Sequence, residues 1–150
     1  MTEKPKFLYL LVLLWPLLSL IFYAWGVFSA SYVASIPNWS FSESEKTVIQ
    51  MLFFGTLLST IAWFVFGSLF FVFSYATLKG KTWVWTSGII LSTIFLAIFG
   101  LMLGSFMATA LVFLDFFPVA GLSTVVIAFL IDLGIIYALT RPPVKAYLRV

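Results

Sequence analysis

Asp132 lies in "AFLIDLGIIYAL", one carboxylic acid in an otherwise aliphatic run. Carboxylates do chemistry when paired with each other, with an imidazole or with a metal. The chain has no His and no Cys, which removes the commonest general base, thiolate nucleophiles and the usual zinc ligands. The remaining acids are Glu3, Glu43, Glu45 and Asp115. Asp115 precedes Asp132 by seventeen residues, and that length of mostly helical chain holds the two roughly 25 Å apart. No catalytic pair forms. The expectation is a protein that is not an enzyme and that uses no cofactor and no metal.

A second chemistry remains open. An Asp at the centre of a membrane helix costs about 2.5–3.5 kcal/mol on insertion scales, and such acids mark proton or cation paths by default. Asp132 stands thirteen residues after Val119 and nine before Arg141, near the middle of the last apolar block. Its side chain is too short to reach water from there. No Lys, Arg or His lies inside another block, but Ser68, Ser74, Thr86, Ser87, Ser92 and Thr93 offer hydroxyls. The expectation is an uncharged carboxyl that exchanges a hydrogen bond with one of them, a packing role. Proton or cation coupling through Asp132 is the competing reading.

The elements that carry these residues follow from composition. The chain is 63% hydrophobic and 9% charged, against about half and about a quarter in soluble domains. A bilayer is the solvent that fits. Four blocks reach the about 20 apolar residues that a spanning helix needs: about 7–30, 48–75, 83–108 and 119–139. The fold class is all-α, a membrane four-helix bundle in one domain with a first external loop at about 31–47. Lys4 and Lys6, then Lys79 and Lys81, then Arg141, Lys145 and Arg149 are separated by even numbers of crossings, and Lys46 alone lies opposite them. By the positive-inside rule both termini face the cytoplasm and the protein belongs in the cell membrane. Lys79, Lys81, Trp83, Trp85 and Arg141 read as membrane anchors, with Tyr75 and Tyr137 at the ends of their spans. A net charge of +3 split among such clusters does not make a nucleic-acid face.

Individual segments add detail. Pro16 leaves the carbonyl of Val12 without its helical donor, so a kink is expected there. A signal peptide is the alternative for the first block, whose apolar run exceeds the usual about 7–15 residues of a signal core. Asn38-Trp39-Ser40 is a candidate N-glycosylation sequon, and Ser42 with Glu45 has capping-box spacing. In the second block Gly55, Ser59 and Gly67 allow close helix approach. Near the second external turn, Pro118 suits a first helical turn with Asp115 at the positive end of that helix. The third block has small residues every four positions, Gly88, Ser92, Gly100, Gly104 and Ala108, broken by Leu96. Small residues let helices approach closely where lipid supplies little drive for association. The stripe is expected to be a packing face, chiefly within the chain.

Two stretches carry a resemblance. "IIYALTRPPVKAYL" (135–148) and "TLKGKTWVWTSGIIL" (77–91) resemble the ends and middle turns of small four-span integral membrane proteins of archaea and bacteria. The resemblance implies the same topology, with Arg141 at the phosphates, Pro142-Pro143 stopping the helix and 144–150 along the surface. The functional expectation is an accessory or assembly subunit of a larger membrane complex. Its partners would be lipid, other membrane subunits or further copies of itself. A small oligomeric proton- or cation-coupled transporter or channel using Asp132 is the alternative.

Overall fold

The computed structural model describes residues 5–35, 46–112 and 119–149, and every regular element among them is helical. Helix α1 is Lys6–Ser35, α2 Lys46–Leu78, α3 Trp83–Val112, α4 Val119–Leu139 and α5 Pro142–Leu148. The first four are long and apolar enough to cross a membrane, which makes this a multi-pass membrane protein. α1 and α2 outrun the expected spans at both ends. At 30 and 33 residues and about 1.5 Å per residue, each exceeds the roughly 30 Å of hydrocarbon and continues into the headgroup layers. Asn38, Ser42 and Glu45, with Asp115 and Pro118, lie outside the described residues.

α1 is the hub. It packs along α2 on one side and α4 on the other, α4 packs on α3, and α2 and α3 share little backbone contact. Aromatic rings bridge that wider gap. Phe95 on α3 meets Phe66 and Phe70 on α2 with ring centroids 5.0 and 5.6 Å apart. Phe22 of α1 stands in the middle, edge-on to Phe95 at 4.9 Å and to Phe70 at 5.2 Å. Trp15 stacks on Phe70 at 5.5 Å. Edge-to-face rings satisfy the quadrupoles of both partners, so a Phe-rich span packs here without many small residues.

The α1–α2 contact runs on a seven-residue rhythm. The Ser19 hydroxyl donates to the Gly67 carbonyl at 2.6 Å, and the Ser74 hydroxyl donates to the Val12 carbonyl at 3.1 Å. Gly26 continues the row on α1 and Thr60 on α2, both buried. Positions 12, 19 and 26 thus run antiparallel to 74, 67 and 60. A heptad row drifts only about 20° per repeat on a straight helix, so it stays on one face. A Cβ on Gly67 would meet the Tyr23 ring at 3.2 Å and the Ser19 carbonyl at 3.4 Å, and one on Gly26 would meet the Phe64 ring at 3.1 Å. Tyr23 and Ser68 close the edge with a 2.7 Å hydroxyl pair. Pro16 sits inside α1. The carbonyl it deprives of a helical donor is the one that Ser74 reaches, so the expected weak point is capped from the neighbouring helix.

Candidate functional site

Asp132 occupies the interior of the bundle with no exposed surface. Its helix, α4, has α3 on one side and α1 on the other. The Ser92 hydroxyl of α3 stands beside the carboxyl, close enough to interact with it, though no hydrogen bond of good geometry joins them. Both Asp132 carboxyl oxygens and Ser92 Oγ lack a partner within the protein. One turn along α3 from Ser92, a Cβ on Gly88 would touch Trp15 at 3.4 Å and Leu139 at 3.1 Å. Trp15 Nε1 is also buried and without a protein partner. Unpaired buried polar groups are uncommon because each costs about 1–3 kcal/mol. The interior between α1, α3 and α4 therefore concentrates polar strain at Ser92 and Asp132.

Three of the other expected hydroxyls are engaged elsewhere. Ser74 caps Val12, Ser68 pairs with Tyr23, and Thr93 donates to its own helix at Ile89. Thr86 and Thr93 face outward. Ser92 is the hydroxyl placed beside Asp132. Among the described residues no three of Asp, Glu, His or Cys come together.

The four-residue stripe on α3 divides in two. Gly88 and Ser92 are buried, whereas Gly100, Gly104 and Ala108 are exposed. Nothing lies within 4 Å of a Cβ built on Gly100 or Gly104. The reason is helical geometry: at 3.6 residues per turn a strict four-residue repeat turns by about 40° each step. Between Gly88 and Gly104 that rotation accumulates to about 160°, nearly the opposite side of the helix. The internal seam and the GxxxG ledge are therefore two different faces. Gly55, where close approach was also expected, has nothing within 4 Å of its Cβ position.

The anchors gather at the end of the bundle that carries residues 5 and 149. Trp85 Nε1 donates to the Leu139 carbonyl at 3.1 Å, and Lys145 lies over the Trp85 ring at 5.4 Å. Arg141 stacks on Tyr137 at 3.7 Å and reaches the Phe7 ring at 5.5 Å. Lys79 lies over Tyr75 at 5.6 Å, and Trp83 meets Phe73 edge-on at 5.2 Å. These cation–ring contacts hold the charged groups beside aromatic faces at a helix end.

The stretch expected along the membrane surface, 144–150, includes a helix not expected from the sequence: α5 has Pro142 and Pro143 in its first turn and Val144 and Leu148 buried. Proline ends one helix but is equally suited to begin the next, since the first helical N–H groups need no intrahelical acceptor. The apolar pair at i and i+4 was the available signal. No protein-family model, no curated protein and no solved structure matches this chain.

Proposed function

We propose that this chain is a non-enzymatic accessory or assembly subunit of a larger complex in the cell membrane, with both termini cytoplasmic. The observation that carries the reading is the outward ledge at Gly100 and Gly104, whose Cβ positions meet nothing within 4 Å. Flexible lipid chains gain less from such a surface than a second transmembrane helix, which makes close van der Waals contact along it. The orientation rests on Lys6, Lys79, Lys81, Arg141, Lys145 and Arg149, all at one end of the bundle, together with the positive-inside rule. The partner at the ledge is another membrane subunit or a second copy of this chain. Purification in mild detergent followed by mass spectrometry tests this: a stoichiometric companion is expected, and Gly100→Leu with Gly104→Leu should release it. A wild-type chain that elutes alone as a monomer contradicts the proposal.

One observation favours a second reading. Asp132 is fully buried with both carboxyl oxygens unpartnered, a situation that suits an acid that takes up and releases a proton or cation. Proton and cation flux in liposomes, compared between wild type and Asp132→Asn, separates the two. Unchanged flux in the Asn variant removes coupling; flux that requires the acid removes the purely structural account of Asp132.

A further inference from the structure

At the end of the bundle where α2 turns into α3, a cavity of about 680 Å³ opens between that turn and α5. Its size falls in the range of small-ligand sites, a few hundred to about a thousand Å³. Lys79, Lys81 and Arg149 line it, with Thr82, Gly80 and Tyr147. No carboxylate is among the lining residues, and the one carboxylate among the described residues, Asp132, is buried in the bundle interior. Three basic residues from two separate segments therefore line one cavity, with no acid among the described residues that line it.

The cavity walls are fixed. Gly80 has φ 63°, and the α2 terminus closes with Gly80 N–H donating to Thr77 and Lys81 N–H to Ala76 at 3.1 Å each, the pattern of a Schellman cap. A Cβ on Gly80 would meet Tyr147 at 3.3 Å, so glycine both permits the backbone turn and admits the ring. The Tyr147 hydroxyl donates to the Leu78 carbonyl at 3.0 Å, while Val144 and Leu148 bury beneath α5. The turn and α5 are thus clamped together, with the basic residues of both lining the space between them. Thr82 brings in the start of α3, a 30-residue helix whose positive dipole end adds to the field of the lysines. The level is that of Tyr75, Trp83 and Trp85, residue types that favour the headgroup layer.

We infer that this cavity binds a phosphate group, carried by the headgroup of an anionic phospholipid, with Lys79, Lys81 and Arg149 as its counter-charges. Anionic lipid at a basic pocket between transmembrane helices is favoured by the same charge attraction that draws basic segments to such leaflets. A phosphate accepts from ammonium and guanidinium groups together, and Arg149 can present two parallel N–H donors to it.

The test uses the full chain in nanodiscs of phosphatidylcholine with and without phosphatidylglycerol, followed by native mass spectrometry of the lipids retained after transfer to detergent. Wild type is expected to keep phosphatidylglycerol in preference to phosphatidylcholine. The variant Lys79→Gln/Lys81→Gln/Arg149→Gln should lose about tenfold or more of that retention. Lys145→Gln, which alters a cation outside the cavity, should retain it. If the triple variant does not elute as a folded species, Lys81→Gln alone, with Lys81→Arg as its rescue, replaces it. Equal retention by wild type and the triple variant, or by Lys81→Gln where it replaces that variant, overturns the site. Displacement of phosphatidylglycerol by equimolar inorganic phosphate overturns the lipid as its source.

Discussion

Two rows of small residues run through this molecule, one on α1–α2 and one on α3. The first repeats every seven residues, with Ser19 and Gly26 on α1 and Thr60, Gly67 and Ser74 on α2, and all five are buried. The second repeats every four, from Gly88 to Ala108, and turns from buried to exposed along its length. Both rows contain residues that permit close approach. What differs is the match between repeat and helix: seven residues nearly complete two turns, whereas four overshoot one by about 40°. A row that keeps its face can hold a neighbouring helix over several turns. A row that winds shows each neighbour a short ledge, so α3 serves the core at Gly88 and points away from it at Gly104.

The largest expected effect comes from filling the seven-residue row. Gly67→Leu forces bulk against the Tyr23 ring and the Ser19 backbone, both within 3.4 Å of its Cβ. Overpacking of this kind costs about 1–3 kcal/mol or more, and a thermal-unfolding series in micelles should show it as a clear loss of Tm. Next comes Gly80→Ala, which combines a backbone strained at φ 63° with a 3.3 Å approach to Tyr147. About 1–2 kcal/mol is expected for a non-glycine residue held there, with local proteolysis at the α2–α3 turn as a second readout.

Smaller still is Ser74→Ala. A hydrogen bond between membrane helices is worth about 0.6 kcal/mol on average, and the loss should shrink in a Pro16→Ala background, where the new N–H serves Val12. A double-mutant cycle by denaturant titration measures that coupling, and a coupling of zero would mean that Ser74 does not stand in for the missing helical donor. Smallest is Gly104→Leu, whose Cβ meets nothing within 4 Å. The isolated chain should unfold at the wild-type temperature, while association with a partner is lost.

The four helices were legible because each is a long apolar block bounded by charge, and the interior position of Asp132 followed from its place in the last block. Ser92 was among the hydroxyls expected to answer that acid, and it is the one beside it. The α1–α2 row is equally present in the sequence, at Thr60, Gly67 and Ser74, but its seven-residue spacing is a weaker signal than the literal GxxxG of α3. Spacing of four looks like one face only while helical rotation is ignored. The pairing of Ser74 with Val12 was not legible, since it needs the register between two helices. α5 was hidden because Pro142-Pro143 signals an end and a beginning with the same residues.

The central claim is that the α1–α2 row is closed within one chain while the α3 ledge at Gly104 faces outward. Because the chain contains no cysteine, disulfide trapping in native membranes reports on introduced positions alone. Ser19→Cys with Gly67→Cys should form a bond within a single chain, at monomer mass. Gly104→Cys should join to a second polypeptide or stay reduced. A Ser19→Cys/Gly67→Cys bond found between chains, or Gly104→Cys trapped by a cysteine placed at Gly67 of its own chain, would contradict the account.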